Sequence, residues 1–450
     1  MAAKLQQKAF GLLLSICYTY RLLLSAKNPI VNIFIYNIFL QLYTFSVHAF
    51  ALFNPKAKAW RDGRQKIFTR ILKAIQTNEK VVWMHCASLG EFEQGQPLLE
   101  MIKKTAPKDY TLLLTFFSPS GYEPKKNYAG ADHVFYLPMD SAQTAKRFFD
   151  IVNPRLILFV KYEFWYYYLS EARKRNIPLF LVSGIFRAGQ PFFKWYGNLH
   201  RQMLACFTWI FVQNLASATL LSGIGIENNV VVNGDTRFDR VLEIAALAEP
   251  LPLVELFCGL ADVVVAGSTW TEDNKELDHF ANTHPKTRFI IAPHNVGLHR
   301  IQECLSLYKN AITYRQLQTQ SGAVPPHINT LIIDNIGMLS RLYKYATIAY
   351  VGGGFGGDGV HNVLEPAVYG IPVVFGPEYE KFDEAVELVK RGGAISVANA
   401  LQLEQTFSTL LGKGDDYYAA CRVSKDYVLE SAGATQRIVD FIQAKRLFTS

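Results

Sequence analysis

Hydrophobic and polar positions alternate between two rhythms along most of this chain. Short apolar runs rich in Val, Ile and Leu are separated by longer stretches with the 3.6-residue period of amphipathic helices. After residue 70 this pattern predicts strands at 81–85, 110–117, 132–137, 155–160, 178–183, 208–212 and 230–232, with helices at 93–104 and 163–175. Residues 241–260, carrying Pro250 and Pro252, read as a connection. A second series then predicts strands at 262–266, 288–291, 330–333, 346–351, 371–375 and 394–397. Helices are expected near 274–282, 297–308, 336–345 and 381–391, with a long one from 415 onward. Repeated β-α units imply a parallel, doubly wound sheet in each half. The expected fold is therefore α/β, with two Rossmann-like domains facing across a cleft and ligands at the carboxyl ends of the strands.

The first 55 residues follow a different rule. No Lys, Arg, Asp or Glu occurs from 28 to 55, a stretch longer than the roughly 20 apolar residues a bilayer span requires. Asn37, Gln41, Thr44 and His48 recur at helical spacing as a polar stripe. Both flanks are basic, which gives no orientation. A helix lying in the membrane interface is therefore favoured over a clean span, with a buried core helix as the bland alternative. Residues 9–24 form a second apolar patch interrupted by Arg21, and a cleaved signal peptide is not expected.

Charge sharpens this picture. The chain carries +8 overall, but residues 1–70 hold ten Lys/Arg against the single acid Asp62, a net +9, so the remainder is close to neutral. A basic segment joined to apolar sequence suits an anionic membrane surface and argues against nucleic acid, whose binders spread positive charge over the folded body. The six cysteines are scattered without a CxxC pair, which argues against a zinc site or disulfide framework.

Candidate chemistry gathers where strands should end. Gly352, Gly353, Gly354, Gly356, Gly357 and Gly359 form a glycine-rich loop running into His361, Asn362, Val363, Leu364 and Glu365. Strand, glycine turn, helix and strand is an arrangement in which backbone N–H groups and a helix N-terminus receive a phosphate. A short helix is expected at 362–370, with Asn362 and Glu365 on one face, able to hold a ribose. The loop matches GxGxxG, but no acidic residue ends a following strand at the NAD ribose position. A flexible turn without ligand is the bland alternative.

In the first half, Ser88, Gly90 and Glu91 follow the first strand; Glu91 is either a general base or a dipole-stabilising helix residue. Lys161 and Glu163 follow another strand, as functional charges or an ordinary helix start. Arg237 could meet a carboxylate or phosphate, or form a surface ion pair. In the second half, Gly267, Ser268 and Thr269 end one strand, and Pro293 and His294 end the next. His294 could contact a base or phosphate, or be structural.

Taken together, these segments resemble the 3-deoxy-D-manno-oct-2-ulosonic acid (Kdo) transferases from about residue 38 to the C-terminus. The resemblance is carried by 85–91, 161–165, 213–214, 234–239, 267–269, 293–294, 335–339 and above all 351–377. It implies a GT-B fold with a membrane-associated segment at 1–55, an acceptor domain at 56–240 and a donor domain at 241–450. It also implies an inverting transfer of Kdo from CMP-Kdo to the lipid A precursor (lipid IVA), at the cytoplasmic face of the inner membrane, beside anionic lipids and without a metal or cofactor. Glu91 then matches the catalytic base, and Lys161 and Arg237 match residues assigned to stabilising the transition state. Pro293 and His294, then Ile336, Gly337 and Met338, then Asn362, Val363, Leu364 and Glu365 match CMP-binding segments, and Ser88, Gly90, Gly267, Ser268, Thr269, Gly353 and Gly354 are expected to contact substrate. The family pattern often has Glu at 161, Lys at 237, Arg at 294 and Glu at 338, and the first 30 or so residues form an extension beyond it. Another GT-B transferase using a UDP-sugar, an NAD-dependent oxidoreductase and a non-catalytic membrane scaffold are the competing readings.

Overall fold

The computed structural model describes residues 29–448, apart from 77–78, 162, 321–323 and 358. The patch at 9–24 and the extension before residue 28 lie outside these residues, as do Tyr162 and Asp358. The chain divides into two compact units. The first runs to Thr236 and regains the chain from Gly433 onward; the second is Arg237–Ala432.

The first unit holds β1 (Lys80–Cys86), β2 (Tyr110–Phe116), β3 (His133–Tyr136), β4 (Pro154–Val160), β5 (Leu179–Gly184), β6 (Trp209–Val212) and β7 (Val230–Val232). They form one parallel sheet in the order β3-β2-β1-β4-β5-β6-β7. The central strands read as nearly continuous apolar runs because helices cover both faces; Val81, Val82, Trp83, Met84 and Cys86 are all buried. Two cores result, one around Trp83, Phe148, Phe159 and Tyr168, the other around Met84, Phe92, Phe116 and Val160.

The second unit repeats the plan with β8 (Val263–Thr269), β9 (Arg288–Pro293), β10 (Ala311–Thr313), β11 (Thr330–Ile332), β12 (Ile348–Val351), β13 (Val373–Phe375) and β14 (Ala394–Ser396). Their order is β10-β11-β9-β8-β12-β13-β14, again parallel. In each sheet the chain first builds outward on one side of its opening strand and then returns to the other side. The reversals leave a crevice at the carboxyl ends of β1 and β4 in the first sheet, and of β8 and β12 in the second. Open α/β sheets bind ligands at such switch points.

The structure departs from the sequence reading at several points. β10 is an added edge strand of three residues, too short to show alternation. The connection at 241–260 is largely helical: a helix spans Thr236–Ala246, and another spans Pro252–Cys258 with Pro252 in its first turn. Val254 and Phe257 from the latter are core residues of the second unit. The helix expected at 362–370 is a single turn, Leu364–Ala367.

The long C-terminal helix is two helices, Asp415–Ser431 and Ala434–Ala444, broken at Gly433 with φ 91°. The second of these packs Ile438, Val439 and Ile442 into the first unit's core. Arg437 donates to the Asn233 carbonyl at 2.6 Å, and the Asn233 amide to the Ala434 carbonyl at 2.9 Å. A donor domain running to 450 is thus corrected: the chain from Gly433 onward belongs to the first unit, and its helix packs on that unit's core.

The helix Pro29–Phe50 contains the one segment among the described residues, Asn32–Phe50, long and apolar enough to cross a membrane, with mean hydropathy 1.3. One face projects Phe34, Ile38, Leu42 and Phe45 outward. The predicted polar stripe points elsewhere, lining a cavity of about 720 Å3 with Ser141 and Tyr167. Tyr167 donates its hydroxyl to Asn37 at 2.8 Å. Tyr36 anchors the helix by donating to Asp140 at 2.7 Å, and Asp140 also accepts the N–H groups of Tyr167 and Tyr168.

Burial raises Asp140 to about 6, against the opposing pull of these hydrogen bonds. Its folded value exceeds the unfolded 3.8, so the native state binds the proton more tightly. The resulting stability is complete below the unfolded value and disappears as pH rises through the folded one. Relative to Asp140→Asn, wild-type stability is expected to fall by ~3 kcal/mol at most between pH 4 and pH 6. Urea unfolding of both proteins across that range checks this, and a constant difference would remove Asp140 as its source.

Candidate active site

At the first switch point, β1 ends and the helix Leu89–Thr105 begins, with Ser88 as its N-cap and Gly90 and Glu91 in its first turn. The Ser88 hydroxyl donates to the Glu91 carboxylate. Glu91 is therefore oriented at the carboxyl end of the sheet, where the sequence placed it, and is also within reach of the helix dipole. Lys161 follows β4 in a left-handed conformation, φ 65°, its N–H donating to the Val182 carbonyl at 2.9 Å. Such a backbone costs about 1–3 kcal/mol in a non-glycine residue and tends to persist at functional sites. Ser268, within the last residues of β8, shows the same feature with φ 55°.

A buried polar chain that sequence reasoning missed runs into this crevice. Trp83 donates its indole N–H to Thr115 Oγ1 at 2.8 Å, and Thr115 Oγ1 lies 2.9 Å from His85 Nδ1. The opposite nitrogen, Nε2, lies 3.2 Å from Glu163 Oε2, which also accepts the Trp165 indole N–H at 2.5 Å. The Thr115 proton has Nδ1 within 2.9 Å, whereas the Met84 carbonyl is 3.5 Å away. Giving it to Nδ1 leaves His85 with Nε2–H, the tautomer that can donate to a carboxylate. Burial pushes the neighbouring Cys86 thiol well up, and the negative charges of Glu91 and Glu163 add to the effect. Both carboxylates therefore act on one spot. The charged residues at 161–163 were the available signal, but nothing in spacing paired them with His85 or Thr115, which lie on other strands.

Arg64 was also missed. Its guanidinium donates to the carbonyls of Phe117 at 2.8 Å and Leu137 at 2.9 Å, beyond the ends of β2 and β3, and stacks 3.9 Å over Trp60. Desolvation lowers its pKa to about 9, so it remains a cation at neutral pH.

At the second switch point, Asp273 is the hub. It is fully buried and accepts the N–H groups of Trp270 at 2.8 Å and Gly353 at 2.9 Å, and the Tyr350 hydroxyl at 2.8 Å. Desolvation raises its pKa, and these donors oppose the rise. Gly352 is required by close approach: a Cβ there would lie 2.4 Å from the Ser268 carbonyl oxygen. Gly353 takes φ 94°, a conformation that favours glycine.

The loop as a bare phosphate cradle is corrected. The N–H groups of Gly352, Gly353, Gly356 and Gly359 already donate to Gly267, Asp273, Gly353 and Gly356. The single-turn helix has its Leu364 N–H capped by Asn362 at 3.1 Å. Glycines at these positions allow backbone to pack on backbone, Gly354 against Gly376 included.

Side chains occupy the rim instead. Thr269 is fully buried, with no hydrogen-bond partner for Oγ1 among the described residues. Trp270 follows β8, His294 follows Pro293 at the end of β9, and His361 closes the glycine loop by donating its backbone N–H to Gly352 at 3.1 Å. Their rings are nearly parallel, with His294 centred 4.5 Å from Trp270 and 4.6 Å from His361. Asn362 donates to Glu365 at 3.2 Å, as their shared face suggested. Val363 and Leu364 are buried, so any ligand contact from them is through backbone. Ile336 is 87% exposed, Gly337 has φ 91°, and Met338 is buried at the start of the next helical turn. Gly267 lies within β8 against Tyr343. Arg237 pairs with the buried Glu384 at 2.6 Å, which differs from the surface ion pair weighed from the sequence. No cluster of three or more His, Cys, Asp or Glu suited to a metal occurs among the described residues.

Tandem doubly wound units of this kind define the GT-B class. A UDP-GlcNAc 2-epimerase from Neisseria meningitidis, bound to UDP-GlcNAc, superposes with a TM-score of 0.58 at 16% identity, covering 81% of this chain and 100% of its own, a likeness of fold alone. Residues 63–240 match the family model described as 3-deoxy-D-manno-octulosonic-acid transferase. A 3-deoxy-D-manno-octulosonic acid transferase from Bordetella pertussis is 27% identical over 80% of this chain and 86% of its own. A bifunctional glycosyltransferase/methyltransferase from Fusobacterium nucleatum is 27% identical over 74% of this chain; this chain spans about half (53%) of that relative's length. The chain is thus similar to the Kdo transferases, by the family model over residues 63–240 and by relatives 26–27% identical over most of its length.

Proposed function

We propose that this protein transfers Kdo from CMP-Kdo to the lipid A precursor lipid IVA in lipopolysaccharide synthesis, with inversion at the anomeric carbon. The observation that carries the reading is the pair of switch points: one presents an oriented carboxylate, Glu91, and the other a rim of imidazoles, an indole and an unpartnered hydroxyl suited to a nucleotide. The acceptor hydroxyl attacks the anomeric carbon as its proton passes to Glu91. The bond from that carbon to the phosphate oxygen breaks, and CMP departs with the electron pair. Positive charge and hydrogen-bond donors beside the phosphate offset the negative charge that develops there. Thr269, His294 and the 336–338 and 362–365 segments take the nucleotide, and Lys161 and Arg237 supply positive charge, with Glu384 fixing the Arg237 guanidinium.

The lipid acceptor enters from the inner membrane's cytoplasmic face. The exposed apolar face of the Pro29–Phe50 helix and the exposed Lys56 and Lys58 support docking on an anionic bilayer. Thermal unfolding with nucleotides tests the donor. CMP at about 100 times its dissociation constant is expected to add ~2.7 kcal/mol, or roughly 5–10 °C. A larger shift with UDP or NAD, or none with CMP, defeats the CMP-Kdo reading. Incubation with CMP-Kdo and lipid IVA, followed by mass spectrometry of the lipid, tests the acceptor.

A further inference from the structure

We propose that Trp270 is a positioning residue for the nucleotide site: it sets the tautomer of His361 and, together with His361, makes the floor on which His294 is held. The inference rests on the reading that the second unit binds a nucleoside monophosphate.

The indole nitrogen of Trp270 lies 3.0 Å from His361 Nε2. Indole N–H is only ever a donor, so Nε2 of His361 must be the acceptor. A neutral imidazole with an accepting Nε2 carries its proton on Nδ1. The contact therefore selects one of two tautomers and excludes the doubly protonated ring while it persists. It also ties the end of β8 to the segment that follows β12, across the switch point.

The ring geometry extends this. Trp270 and His361 are inclined by only 14° with centroids 6.4 Å apart, the disposition of two hydrogen-bonded rings lying edge to edge in nearly one plane. His294 is inclined 22° to Trp270 and 16° to His361, at nearly equal distance from both. It lies over the seam between them. His294 is exposed, and an exposed histidine ordinarily samples several rotamers. Here one face is covered by two rings, which removes that freedom before a ligand arrives and lowers the ordering cost of binding.

The unpartnered Thr269 hydroxyl, adjacent to Trp270 in the chain and fully buried, points independently to a ligand at this rim. A nucleoside monophosphate supplies the acceptors that a hydroxyl and two imidazoles can address.

The test uses full-length protein labelled with 15N, read by long-range 15N–1H correlation of the imidazole rings and by CMP titration. Wild type is expected to show His361 with a protonated Nδ1 and a bare Nε2. Trp270→Phe keeps a ring beneath His294 but removes the donor. It should release His361 to a mixture of tautomers and weaken CMP binding by about tenfold, the loss of one hydrogen bond. Trp270→Leu, which also removes the stacking surface, should weaken it further. Should Trp270→Phe fail to fold, His361→Leu reads the same contact from the other side. The Trp270 indole N–H resonance should then lose its hydrogen-bonded shift, and CMP affinity should fall similarly. An unchanged His361 signature and unchanged affinity in Trp270→Phe would overturn the proposal. Wild-type protein that shows the tautomer but ignores CMP would overturn the nucleotide reading and with it Trp270's role in binding, a failure distinct from the first.

Discussion

Glu91→Gln is expected to lower Kdo transfer by about 10²–10⁴-fold, the range for loss of a positioned general base. The variant should still fold. Gln is isosteric, and its amide oxygen can keep the hydrogen bond that Ser88 makes to Glu91. The side chain sits in the first turn of the Leu89–Thr105 helix, so removing its charge costs only about 0.3–1 kcal/mol of dipole stabilisation. The nucleotide is assigned to the other unit, so the CMP-induced thermal shift should match that of wild type. The three measurements separate the possibilities. Lost transfer with an intact CMP shift supports Glu91 as base, whereas near-normal turnover removes it from the role and directs attention to Glu163. Glu163 has one oxygen held by His85 and Trp165 and lies at the same end of the sheet.

Asp273→Ala should produce the largest loss of stability in the second unit. Three donors converge on this buried carboxylate, and truncation leaves the Trp270 and Gly353 N–H groups and the Tyr350 hydroxyl without a partner. At about 1–3 kcal/mol for each orphaned donor, the cost is roughly 3–9 kcal/mol. The midpoint of thermal unfolding should fall by roughly 10–20 °C, and the CMP-induced shift should vanish because the glycine loop and the Trp270 rim lose their common anchor. Asp273→Asn should be much milder. Its carbonyl oxygen can accept both backbone N–H groups, and the Tyr350 hydroxyl can turn to accept from the new amide. Equal effects of the two substitutions would show that Asp273 is not the hub described.

Much of this could be read along the chain. Buried parallel strands are continuous apolar runs, so β1, β4, β8 and β12 stand out without tertiary information, as does the tandem arrangement. Candidate residues followed from the same logic, since a polar residue immediately after such a run must lie at the carboxyl end of a sheet. Ser88, Glu91, Lys161, Thr269 and His294 were found this way. The short elements were less legible. β10 has three residues and the helix after the glycine loop four, too few to display a period. The glycine loop itself misled: its composition suggested backbone free for a phosphate, whereas the glycines serve close packing and their N–H groups are largely bonded within the fold.

Local pattern along the chain therefore determined which segments become strands, that they form two parallel sheets, and which residues stand at their ends. Only the tertiary structure decided which of those ends are neighbours. Strand order is set by crossovers and burial summed over whole units, and it brings Glu163 to His85 and Trp270 to His361 from positions 78 and 91 residues apart. It also returns the Ala434–Ala444 helix to the first sheet, where Ile438, Val439 and Ile442 find an apolar surface that no local rule could have specified.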